Sequence, residues 1–165
     1  LHDEVGRSLF GQSTVEDLGD VGVIHEREGL SLRLEPRSRF PDLELVSVES
    51  GAGWIPGAME SFDWQWRNGG VRVEHPEYEL LPSEYFERQI YGCFWFEQEA
   101  ARFAIDRFPD NILYETDYPH PTCQHPGPAT PAQFPRDYAT GALSSLDDAT
   151  LRKVLHDTAA DLYGL

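Results

Sequence analysis

Apolar positions beyond Phe40 switch between two periods, and each switch marks an element. Leu43-Glu44-Leu45-Val46-Ser47-Val48-Glu49 is a β-rich alternating run that follows the Pro41-Asp42 turn and stops at Ser50-Gly51, which predicts a strand. After Gly51-Ala52-Gly53, Ile55, Met59, Phe62 and Trp66 recur at helical spacing. Pro56 falls near the first turn of that helix, where its missing N–H costs little. Leu81-Pro82-Ser83-Glu84 opens a short helical or irregular stretch, and the aromatic-rich run Gln89 to Phe96 suits a buried strand. Glu97 to Phe108 combines good helix formers with apolar Ala100, Phe103 and Ala104, and it ends at Pro109. Asn111 to Asp117 reads as a third strand. Asp147 to Tyr163 reads as a closing helix with Leu151, Val154, Leu155, Ala159 and Leu162 on one face and Gly164 at its end.

Strand followed by helix, with apolar strands, is the grammar of an α/β protein built on a parallel sheet. Between the third strand and the last helix, Tyr118 to Ser145 carries Pro119, Pro121, Pro126, Pro128, Pro131 and Pro135, which predicts a long loop. Loops beyond about 12 to 15 residues in compact domains are usually functional or disordered, and in open parallel sheets ligands sit at the carboxyl ends of strands. Function is expected there. Ahead of Phe40 no period is sustained; Leu1 to Phe10 reads weakly as helix and Val21 to His25 weakly as strand. No internal repeat is present, which sets a solenoid aside.

Composition narrows the class of partner. With 165 residues, 40% hydrophobic and 12% aromatic, the chain has enough apolar surface for one globular core. No run approaches the roughly 20 apolar residues of a membrane span, and the first ten residues lack a signal-peptide core, so the cytoplasm is the expected location. A formal net charge of −16 argues against nucleic acid, whose phosphates demand clustered Lys and Arg. Cys93 and Cys123 have no CxxC spacing and are expected as free thiols.

Glu115-Thr116-Asp117-Tyr118-Pro119-His120 stands at the mouth of the long loop. An aspartate at a strand's carboxyl end can bind a divalent cation through oxygen, and a histidine three residues on can ligate or hydrogen-bond a metal-bound water. The alternative is an aspartate that caps the loop backbone beside an exposed histidine. Trp54 and Trp95 read as core aromatics rather than substrate platforms.

The segments Arg39-Phe40-Pro41-Asp42-Leu43, Glu49-Ser50-Gly51-Ala52-Gly53-Trp54-Ile55-Pro56 and Glu115 to His120 occur in an order that resembles the amidohydrolase-related family. More closely, the chain is similar to the branch containing aminocarboxymuconate-semialdehyde decarboxylase and aromatic acid decarboxylases. Leu81-Pro82-Ser83-Glu84-Tyr85-Phe86 and Ala159 to Leu165 extend the resemblance over roughly Arg39 to Leu165. It implies a (β/α)₈ barrel with a divalent metal, zinc foremost, at the carboxyl ends of its strands. Asp117 would be the last-strand metal ligand. Glu49 stands where many relatives place a histidine and is the candidate acid-base group, or else a strand-end glutamate hydrogen-bonding the following turn. His120 resembles a loop histidine that touches substrate or a metal ligand. His25, His75, His125 and His156 match no family ligand.

A closed barrel needs about 250 residues. The family's His-x-His pair is absent from the sequence, and so, on this reading, is its fifth-strand histidine. The expectation is therefore the last three βα units of an incomplete barrel over residues 40–165, with residues 1–39 a lead-in or a divergent fifth βα unit. The parent activity implied is metal-dependent hydrolysis or nonoxidative decarboxylation of a small carboxylic acid. The chain itself is expected to bind metal weakly or not at all. A noncatalytic barrel remnant, or a module that forms a homo-oligomer through its open sheet edge, is the alternative.

Overall fold

A computed structural model describes residues 40–128 and 130–165. The helix read over Leu1 to Phe10, the strand read over Val21 to His25 and the assignment of residues 1–39 lie outside the described residues. Among the described residues three strands, β1 (Leu45–Ser47), β2 (Ile90–Phe94) and β3 (Ile112–Tyr114), form one sheet in the order β1-β2-β3. Both pairings are parallel, with Val46 opposite Tyr91 and Cys93 opposite Leu113. Parallel neighbours need crossovers. Here α1 (Ile55–Asn68), α2 (Val71–Glu74) and α3 (Pro82–Gln89) connect β1 to β2, and α4 (Ala100–Arg107) connects β2 to β3. After β3 come α5 (Pro135–Ala142), α6 (Asp148–Arg152), a π-helical turn (Lys153–Asp157) and α7 (Thr158–Tyr163). This is a mixed α/β fold on a parallel three-stranded sheet.

The main core lies between the sheet and its helices. Ile55, Met59, Phe62 and Trp66, the stripe read from the sequence, are the buried apolar face of α1, and they join Phe86, Phe94, Ile105 and Ile112. Because side chains alternate along a strand, Cys93 and Leu113 point to the other face of the sheet, where they too are buried. Gly53 is required by close approach: a Cβ there would stand 2.4 Å from the Ala100 Cβ, so the turn after β1 can lie against the start of α4 only without a side chain.

Several sequence expectations change. The strands are shorter than the runs that predicted them, because Gln89 belongs to α3 and because Glu49 and Asp117 leave extended geometry altogether. On α4 the buried positions are Ala101, Ala104 and Ile105, whereas Ala100 is exposed and Phe103 is 69% exposed. The stretch from Tyr118 to Ser145 is not all loop, since Pro135 supplies the fixed φ of a first helical turn and α5 follows. The closing helix is interrupted by the π-helical turn, which inserts extra arc and rotates the residues beyond it. Val154 and Thr158 become buried while Leu155 faces out. Gly164, at φ 67°, ends α7 in the left-handed region as expected. Among the described residues, no helix is long and apolar enough to cross a membrane.

Candidate functional site

The carboxyl ends of the three strands bring together Glu49, Trp95 with Glu97, and Glu115 with Asp117. Glu49 and Asp117 both adopt left-handed backbone, at φ 56° and 57°. That conformation costs a non-glycine residue roughly 1–2 kcal/mol, so the surroundings must hold it. The Glu49 N–H donates to Glu115 Oε1 at 2.9 Å, across 66 positions of sequence. The Asp117 C=O accepts the His120 N–H at 2.9 Å, which closes the turn beyond β3.

Asp117 and His120 meet as their spacing suggested. His120 Nδ1 lies 3.0 Å from Asp117 Oδ2, and the Thr122 hydroxyl reaches the same oxygen at 3.4 Å. The Asp117 side chain is only 5% exposed, against 55% for His120. Among the described residues its side-chain contacts are with His120 and Thr122. Glu49 is exposed, and its backbone N–H bonds Glu115, two residues before Asp117.

Three residues that were not site candidates in the sequence organise the site. Burial raises the Glu115 carboxyl above its usual range; the Glu49 N–H opposes the shift, and the charges of Asp117 and Glu49 add to it. Cys93, on the same face of the sheet, hydrogen-bonds Glu115 through its thiol, which burial and the Glu115 charge push up to about 12. Glu97 accepts the Ala52 N–H at 3.0 Å and the Gly53 N–H at 2.8 Å, fixing the turn after β1. Glu115 carries a usable signal, since it lies two residues before Asp117 at the end of the same β-rich run.

The raised Glu115 value sets a pH dependence. Between the unfolded carboxyl range and the higher folded one, the native state binds more protons than the unfolded state, so stability falls as pH rises through that window. Glu115→Gln does not titrate and keeps an acceptor for the Glu49 N–H. Urea unfolding is therefore expected to show the variant gaining stability on wild type from about pH 4 upward, with the difference levelling off above the folded value. A constant difference across pH would contradict the shift.

Trp95 is a core aromatic, buried with its indole N–H on the Thr122 C=O at 3.1 Å. Trp54 is not: it is 46% exposed and covers its own turn through an indole N–H to the Gly51 C=O at 2.9 Å. His125 packs between Tyr118 and Phe134, His75 stacks on Tyr78, and His156 bonds Asp157; His25 lies outside the described residues. Both cysteines are free thiols. Among the described residues no group of three or more His, Cys, Asp or Glu is placed to hold a metal ion. Asp117 has one oxygen without a partner there, but His120 Nδ1 is already turned to the other oxygen. These residues offer part of a ligand set and do not fit a metal by themselves, since such sites generally need three protein ligands.

The described residues thus define a parallel α/β unit with carboxylates and an imidazole gathered at its strand ends. The chain belongs to the amidohydrolase family, whose pattern matches residues 37–165. No curated protein sequence matches it significantly. Among solved structures it is similar to 5-carboxyvanillate decarboxylase LigW from Sphingomonas paucimobilis, with a TM-score of 0.64 and 21% identity over 94% of this chain and 47% of that one. An amidohydrolase from Mycobacterium avium subsp. paratuberculosis K-10 gives a TM-score of 0.58 and 22% identity over 92% of this chain and 36% of its own. A dihydroxybenzoic acid decarboxylase from Polaromonas sp. JS666, solved with manganese and the inhibitor 2-nitroresorcinol, gives 0.53 and 22% over 78% and 36%. At these identities the likeness is one of fold. The chain spans less than half the length of each of these proteins.

Proposed function

We propose that residues 40–165 are the last three βα units of a (β/α)₈ barrel, and that the protein is a cytoplasmic metal-dependent decarboxylase or hydrolase acting on a small carboxylic acid. Residues 1–39 are assigned to a lead-in or a divergent fifth unit. The observation that carries this reading is Asp117, a nearly buried carboxylate at the carboxyl end of β3 with one oxygen held by His120 and the other without a partner among the described residues. Two of the similar structures are decarboxylases, and one holds manganese, which supports a divalent ion; zinc is our choice of metal. A divalent ion held in part by Asp117 would supply Lewis-acid polarisation of a substrate oxygen. The chain's own residues have simpler tasks. Asp117 offers a ligand oxygen, His120 and Thr122 fix its orientation, and Glu49 or His120 holds and moves a proton. Such a site generally needs three protein ligands, so Asp117 would be one of a set that the described residues do not complete.

A second reading is association through the sheet edge without turnover. It is favoured by Phe40, Leu43, Leu45 and Val48, which are exposed along and around β1, an edge strand of the sheet. One experiment addresses both. The chain and its Asp117→Ala variant are exposed to zinc or manganese, desalted and analysed for metal. Under the enzyme reading, wild type retains metal and the variant retains at least roughly tenfold less. Equal retention in both removes Asp117 from the metal site, and none in either leaves the edge-pairing reading.

A further inference from the structure

The chain contains only two asparagines, Asn68 and Asn111, and only Asn68 is followed by glycine, in Asn68-Gly69-Gly70. Asn68 is exposed and is the last residue of α1. Its side-chain NH₂ donates to the Trp64 C=O at 2.8 Å, and the Gly69 N–H donates to the Gln65 C=O at 2.6 Å. Both groups are thus turned back along the helix and held there. Residue 69 must be glycine, because a Cβ would stand 2.6 Å from the Gln65 carbonyl oxygen, so no side chain shields its nitrogen. Gly70 then turns the chain at φ 84°, in the left-handed region. Helix ends are the parts of a fold that open at least cost. Asn111 is the contrast: it is 3% exposed, its NH₂ donates to three carbonyls, and the β-branched Ile112 follows it.

We propose that Asn68 is a site of spontaneous deamidation, with water as the only co-reactant, and that the last turn of α1 is its gate. When the turn opens, the Gly69 nitrogen attacks the side-chain carbonyl carbon of Asn68. The new C–N bond closes a cyclic imide, the bond to the side-chain NH₂ breaks, and ammonia leaves with the proton of the Gly69 N–H in balance. Water then opens the imide at either carbonyl, adding hydroxyl to carbon and a proton to nitrogen, which yields aspartate or isoaspartate. No electrons change hands. The product also keeps the gate open. A carboxylate in the last turn meets the negative end of the helix dipole, and isoaspartate adds a backbone carbon that shifts the Gly69 N–H out of register with Gln65. The site lies on α1, away from Asp117, and stands independently of the function proposed above.

The full chain is incubated at mildly alkaline pH, in buffer and in urea, and sampled over time. Trypsin releases the peptide from Asn68 to Arg72, in which mass spectrometry reads deamidation and isoaspartate-specific carboxyl methylation reads the rearranged product. Product is expected at Asn68 and not at Asn111 in the native chain, at least roughly tenfold more slowly than in urea. Gly70→Ala leaves the Asn68-Gly69 pair intact but strains the left-handed turn beside it. This variant should raise the native rate roughly tenfold, with an unchanged circular dichroism spectrum, and leave the rate in urea as it was. No product at Asn68 in the native chain would overturn the site. Equal rates in buffer and urea, or a native rate indifferent to Gly70→Ala, would overturn the gate.

Discussion

Asn111→Asp, a change of one amide to a carboxyl with almost no change of shape, is expected to destabilise the fold by about 3–5 kcal/mol at neutral pH. Asn111 is 3% exposed, and its side-chain NH₂ donates to the carbonyls of Phe86, Glu87 and Ile90 at 3.2, 3.0 and 2.9 Å. Those bonds tie the end of α3 to the residue that precedes β3, and the Asn111 C=O accepts the Gly92 N–H at 2.9 Å beside them. One side chain therefore fixes how α3, β2 and β3 meet. An ionised carboxyl there has acceptors only and would face three carbonyl oxygens without a donor. The charge is disfavoured in the folded state, so the introduced group titrates higher than in the unfolded chain, and the cost grows as pH rises. Urea unfolding at about pH 4 and pH 7 reads this directly. Asn111→Ala lacks the repulsion and should cost less, about 1–3 kcal/mol, with little pH dependence. Equal losses for the two variants at neutral pH would show that the donors carry no special weight.

The sequence shows the existence and order of the three strands because each is a short β-rich run between turn residues, and local patterning reports such runs. It shows Asp117 with His120 for the same reason, the partners being three residues apart. What it hides is long-range or conformational. Nothing local tells that Glu49 and Asp117 turn left-handed and cut their strands short, or that Glu115 holds Glu49 across the sheet. Glu97 is equally silent: it reads as a helix-start residue, yet its carboxylate binds the turn after β1. The π-helical turn misaligned an otherwise sound helical stripe, since a single wider turn shifts every later residue around the axis. Phe103 is apolar yet 69% exposed, since a folded surface still presents many apolar atoms and residue type alone does not fix which helix face is buried.

Phe94→Ala is expected to cost a further 3–5 kcal/mol class of loss, set by the transfer of a buried ring and the cavity left behind. Phe94 closes β2, is fully buried, and meets the edge of Tyr114 at 5.7 Å between ring centroids. Tyr114 stacks on Tyr138 at 5.6 Å, and the Tyr138 hydroxyl donates to the Glu97 C=O. The ring thus supports a chain of contacts that runs from the core to the residue binding the Ala52 and Gly53 N–H groups. Against a typical total stability of about 5–15 kcal/mol, a loss of this size leaves a substantial unfolded population. Phe94→Leu fills most of the space and should cost under about 1.5 kcal/mol. Thermal unfolding gives the two values, and hydrogen exchange at Ala52 and Gly53 tests the connection. If Phe94→Ala loosens those amides while Phe94→Leu does not, the aromatic core and the strand-end turn open together. Protection unchanged in both variants would mean that Glu97 holds the turn without support from the core beneath it.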